Sequence, residues 1–122
     1  MKKSIKNSIS TLLLVAFSFT TLPSYASSED AGLRICQYVK LNHKARLKSF
    51  LRSQHIKVKE IFDSLKCNNK NLLVFAAEQQ SVNAGTYLLG RVSSKKVAAT
   101  FNDIAKFSPQ LAKLAKERIN KT

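Results

Sequence analysis

Tryptophan is absent from this chain, and turn-forming residues are scarce, with three Gly and two Pro among 122 residues. So few of them exclude a β-sandwich, whose many tight connections need such residues. Acids are few as well, seven against 21 Lys and Arg, and they lie scattered. No local pair of carboxylates is poised for acid–base chemistry, and the chain has neither a glycine-rich phosphate loop nor a Gly-x-Ser-x-Gly elbow. The expectation is a protein that is not an enzyme. What is present, 44% hydrophobic residues including seven Phe and three Tyr, suffices for one small domain and points to packed helices.

The opening MKKSIKNSISTLLLVAFSFTTLPSYA reads as an address. Lys2, Lys3 and Lys6 form a positive start, an apolar stretch follows within Thr11 to Leu22, and Ser24-Tyr25-Ala26 supplies small residues for cleavage after Ala26. A retained anchor is the alternative, but the greasy core is about eleven residues against the roughly 18–20 that span a bilayer. The expected organisation is a signal peptide over 1–26 and a single helical domain over 27–122 that is exported from the cytosol. Residues 27–122 keep 18 basic residues and all seven acids, a formal charge of +11. Cys36 and Cys67 then meet an oxidising compartment, where a lone pair of cysteines is expected to form one structural disulfide.

Helical spacing starts at Leu33, after a polar and frayed Ser27 to Asp30. Leu33, Cys36, Val39 and Leu41 lie near one stripe that breaks at Asn42-His43. Leu47, Phe50 and Leu51 define a second, strongly basic helix, with Lys44, Arg46, Lys48 and Arg52 on its other side. Ile56 to Leu65 suits a short third helix, and Lys66 to Asn71 is a turn by its asparagines. The run Leu72 to Ala77 fits a buried strand or a buried helix, and the Ala-Ala-Glu-Gln-Gln continuation favours helix. Ser81 is placed to cap the next helix, in which Gly85 permits close helix approach and Gly90 marks the stop. A further helix opens at Ser93 or Ser94, with Val97, Ala98, Phe101, Ile104 and Ala105 inward. Ser108-Pro109 then restarts the chain into a last helix, whose outer face is expected to carry Lys113, Lys116, Arg118 and Lys121.

Sliding the chain on itself by 38 residues lays Ile35–Ser53 over Leu73–Arg91 with matching buried positions, although only Leu51 and Leu89 are identical. NLLVFAAEQQSVNAGTYLL also resembles the paired helices of an ankyrin repeat. It lacks that family's Thr-Pro-Leu-His opening and has Gln80 where the turn glycine belongs. Two unlike copies fall short of the three or more that a free-standing array needs.

Candidate chemistry is sparse. Cys36, His43, His55 and Cys67 are separated by 7, 12 and 12 residues, unlike the tight ligand pairs of structural zinc, so no metal and no cofactor are expected. A reactive thiolate would need one cysteine protected from the other. Nucleic acid is disfavoured, because Tyr and Phe fall at core spacing instead of interleaving with Lys as stacking platforms. A membrane surface is physically easier: Lys44, Arg46, Lys48 and Arg52 cluster locally, and Lys113 and Lys116 add to them, against the plain alternative that these residues only solvate helix faces.

Taken together, ICQYVKLNHKARLKSFLRS and IKVKEIFDSLKCNNKNLLVFAAEQQ resemble the domain of unknown function 3718 family of small exported gamma-proteobacterial proteins, over about Leu33 to Leu89. The resemblance rests on Ile-Cys-x-Tyr-Val around Cys36 and Cys-Asn-x-x-x-Leu-Leu-x-Phe-Ala around Cys67, with Asn69 where the family usually has Gly. It implies a periplasmic or secreted location in a Gram-negative cell, and no activity. The expectation is therefore an all-α fold of five to seven short helices stacked as helix-turn-helix pairs with one disulfide. Its function would be non-catalytic, through contact with anionic lipid, lipopolysaccharide or another envelope protein; the alternative is a protein interaction module of ankyrin-like helix pairs.

Overall fold

The computed structural model describes residues 27–121, so the leader expected over residues 1–26 lies outside the described residues. Among those described there are seven helices and no strand: α1 (Ser27–Lys40), α2 (Lys44–Ser53), α3 (Val58–Ile61), α4 (Leu72–Glu78), α5 (Val82–Leu89), α6 (Ser94–Phe107) and α7 (Pro109–Asn120). None is long and apolar enough to cross a membrane. The helices pair as α1 with α2, α4 with α5 and α6 with α7. The pairs stack in layers, α4 lying between α1 and α6 while α5 touches both α2 and α7. Since α4 is covered from both sides, all of Leu72 to Ala77 is buried, which is why its sequence shows no polar face.

The shift of 38 residues seen in the sequence is a repeat of backbone geometry. Asn42 and Gln80 both take the left-handed conformation, at φ 58° and φ 59°. The residues that follow, His43 and Ser81, match at φ −91°, ψ 75° and φ −92°, ψ 76°. His43 N–H donates to Tyr38 O at 2.9 Å, and Ser81 N–H to Ala76 O at 2.8 Å. Gln80 thus performs the turn of the expected glycine, and its side-chain amide donates to Phe107 O and Ala77 O, which helps offset the strain of a side chain there. The third pair shows no such sequence match because its helices meet through one residue, Ser108. That hydroxyl accepts from Leu111 N–H, with Pro109 opening α7, so the Ser-Pro restart stands as expected.

Cys36 and Cys67 form the disulfide, with Cα atoms 5.7 Å apart. It ties α1 to the turn that leads into α4. Cys67 and Lys70 exchange both backbone hydrogen bonds around Asn68 and Asn69, whose φ values of 53° and 63° suit the primed turns that Asn tolerates.

Several local expectations are corrected. α1 begins at Ser27 rather than Leu33, with Glu29 and Asp30 in its first turn, where the helix dipole favours acids. Its inward residues are Ile35 and Val39, while Leu33 and Leu41 are 66% and 57% exposed. The i, i+4 pair Ile35–Val39 meets α4, and the other two leucines point away from that contact. The third helix is a single turn, Val58–Ile61. Ala98 is exposed and Thr100 buried, because Thr100 accepts a hydrogen bond from the Asn71 amide at 3.1 Å. Asn71 in turn caps α4 by accepting from Val74 N–H.

Ser81 does not cap α5. Its hydroxyl donates to Lys40 O, and the acceptor at the start of α5 is Asn42 Oδ1, 2.9 Å from Ala84 N. The turn of the first pair therefore satisfies an orphan donor of the second. Asn42→Gly keeps the left-handed backbone but removes that acceptor over a fully buried residue. A loss of about 1–2 kcal/mol is expected by urea denaturation. Asn42→Asp retains the acceptor and should lose much less; equal losses would show that the interlayer hydrogen bond is not what Asn42 contributes.

Candidate functional site

The basic residues singled out in the sequence are placed by two buried leucines. Leu47 and Leu51 fix the inward side of α2, so Lys44, Lys48 and Arg52, four residues apart, form one row along the helix. Arg46 falls on the other flank, beside Tyr38, Ser49 and Phe50. Lys44, Arg46 and Arg52 are exposed and Lys48 is half-buried. Lys113 and Lys116 are exposed on α7, one layer row away across α5, so they are not brought into the α2 row.

Arg118 is half-buried and folds back against the end of α5 instead of standing on the outer face. Its guanidinium donates to Leu89 O at 3.0 Å and Val92 O at 2.9 Å, satisfying the last carbonyl of α5 and one three residues beyond it. Gly90, the C-cap there, has an ordinary right-handed φ of −73°, so α7 supplies the closure that a left-handed glycine was expected to give.

The carboxylates leave the basic residues of α2 and α7 unneutralised. Among the described residues, ion pairs join Lys70 to Glu78 and Lys96 to Asp63, and none involves Lys44, Arg46, Lys48, Arg52, Lys113 or Lys116. His43 and His55 are exposed, the cysteines are bonded to each other, and no group of three or more metal-ligating side chains occurs among the described residues.

Sequence reasoning missed how aromatic rings and cations meet. Arg34 lies 6.0 Å from the Phe50 ring centre, Lys106 6.0 Å from that of Phe107, and Tyr87 is approached by Arg91 at 4.8 Å and Lys48 at 5.8 Å. Around Tyr87 a cleft opens between α5 and the start of α3, lined by Ile56, Lys57, Val58, Lys59, Tyr87 and Arg91. Two signals were legible: the alternation Lys57-Val58-Lys59 about one inward valine, and Arg91 one helical turn after Tyr87. Bringing them together needed the α2–α5 packing, which no local pattern encodes.

Residues 35–99 match the family model described as Protein of unknown function (DUF3718), just over half of the chain. No curated protein and no solved structure matches it. The match starts inside α1 and runs to Ala99 in α6, beyond the Leu89 limit of the sequence resemblance, so it takes in the two repeated pairs, both cysteines and the whole Tyr87 cleft. On that extent the chain belongs to the DUF3718 family.

Proposed function

We propose that this protein is an exported, non-catalytic accessory protein of the cell envelope that holds to anionic surface components through its basic faces. The carrying observation is the Lys44–Lys48–Arg52 row, solvent-facing at both ends and without a carboxylate partner among the described residues. Structural ion pairing would have consumed such charges, and the +11 excess of residues 27–122 adds a long-range field that draws anions. The disulfide fits a chain matured outside the cytosol.

Replacing Lys44, Arg46, Lys48 and Arg52 by Gln removes four positive charges without touching Leu47 or Leu51. With each basic residue near an anionic surface worth about 1 kcal/mol, binding to vesicles rich in phosphatidylglycerol should fall by at least tenfold at low salt. It should vanish for both proteins as salt approaches molar concentration. Unchanged vesicle binding by a folded variant would leave the row as solvation only. A second reading, a helix-pair interaction module, draws on the three stacked layers. It expects instead a stoichiometric protein complex that survives molar salt.

A further inference from the structure

The cleft at Tyr87 is small and concave, and it sets three basic residues around apolar groups. It encloses about 280 Å³. Val58 is buried, Ile56 and Tyr87 are half-buried, and Lys57, Lys59 and Arg91 stand exposed around them. Lys48 reaches the same ring from α2. Three cations, Lys57, Lys59 and Arg91, line the cleft, Lys48 adds a fourth beside its aromatic ring, and no carboxylate lines it.

Contact with the ring restrains Arg91 and Lys48 without neutralising them, so part of the ordering cost of binding is met before a ligand arrives. Three positive charges lining one small cleft, with a fourth beside its ring, suit a ligand with more than one negative charge. A phosphodiester offers a single charge and two free oxygens. A terminal phosphomonoester offers about −1.5 to −2 and three acceptor oxygens, enough for the Arg91 fork and two ammonium groups at once. The volume lies near the lower bound of roughly 300 Å³ for small-molecule sites, suited to a phosphate with one ring or short headgroup and too small for acyl chains. Ile56 and the Tyr87 ring provide an apolar wall for that attached group.

We infer that the cleft formed by Lys57, Lys59, Tyr87 and Arg91, with Lys48 beside its ring, binds terminal phosphomonoesters in preference to phosphodiesters. The inference rests on the reading above, that the basic faces meet anionic ligands, and narrows it to one site and one chemistry. Free sugar phosphates and lipid headgroups ending in a monoester share that chemistry.

The test is titration of the oxidised protein, followed by calorimetry and amide NMR shifts, with α-D-glucose 1-phosphate, monomeric dihexanoyl phosphatidic acid and the diester control dimethyl phosphate. At least one monoester should saturate and bind at least tenfold more tightly than dimethyl phosphate, with shifts centred on Lys57 to Lys59 and Tyr87 to Arg91. Saturation by glucose 1-phosphate alone identifies a soluble source, and by phosphatidic acid alone a lipid source; both outcomes support the site. Lys57→Gln/Lys59→Gln/Arg91→Gln, all at exposed positions, should abolish the titration while its melting curve stays that of the parent. Arg91→Lys, which keeps the charge and loses the fork, should weaken monoester binding several-fold. Equal affinity for monoester and diester, or a triple variant that titrates like the parent, overturns the inference even where phosphatidylglycerol vesicles still bind. Monoester saturation in a protein that ignores such vesicles supports the cleft and defeats the surface reading.

Discussion

Serine at both Cys36 and Cys67 is expected to lower the free energy of unfolding by about 3–4 kcal/mol, the chain-entropy value for a cross-link between residues 31 apart. Against the roughly 5–15 kcal/mol available to a whole domain, this is a large share for a chain so short. Urea denaturation of the oxidised and reduced parent and of the double variant is the measurement. The midpoint should fall on reduction, and the slope should rise, since the freed chain expands further and exposes more surface. The reduced parent and the double variant should agree. A midpoint unmoved by reduction would mean that helix packing alone fixes α1 against α4.

Gly85→Val carries the next largest effect. A Cβ on Gly85 would lie 2.7 Å from Leu111 Cδ1 and 2.8 Å from Cδ2. Leu111 is 1% exposed, so its side chain has no free space into which to turn. Overpacking of this kind costs about 1–3 kcal/mol, and a branched side chain belongs at the upper end. The better helix propensity of Val over Gly returns only a few tenths of that. Leu111→Ala alone should cost about 2–5 kcal/mol by leaving a cavity. Combined, the two changes should be less damaging than their sum by at least 1 kcal/mol, because the valine enters the space that leucine vacates. Additive losses would show that α5 and α7 do not meet closely at Gly85.

Much of this architecture is legible in the sequence because local chemistry determines it. Ser93 and Ser108 accept from amides three residues on, Pro109 fixes the first turn of α7, and Asn68-Asn69 bends the chain behind Cys67. The 38-residue correspondence pointed to two matching helix-turn-helix pairs although hardly a residue is shared, and the ankyrin likeness marked Gln80 as the turn residue, since backbone geometry and burial are retained where side-chain identity is not. Gly85 was legible as a point of close approach, though not its partner Leu111.

What escaped sequence reading depends on partners distant in the chain. Leu33 and Leu41 are as apolar as Ile35, and only the position of α4 decides which of them is covered. Asn42 is an ordinary turn residue until Ala84 is placed beside it, 42 residues later. Arg118 looked like one more solvent-facing cation of α7, but it closes the end of α5. The basic site follows the same rule. The α2 row was visible as a charge pattern, whereas the Tyr87 cleft combines residues from the approach to α3 with others in and just after α5, none of which marks it alone.

The disulfide joins α1 to the bend that feeds directly into the middle layer, and this sets an order of events. As synthesis proceeds from the N-terminus, Cys36 emerges 31 residues ahead of its partner, at a stage when the first hairpin of helices still has no neighbour to lean on. The thiol must wait, reduced or engaged elsewhere, until Cys67 follows, and the next residues to appear are those of α4 itself. Covalent closure can therefore come no earlier than the stretch of chain that borders the central layer.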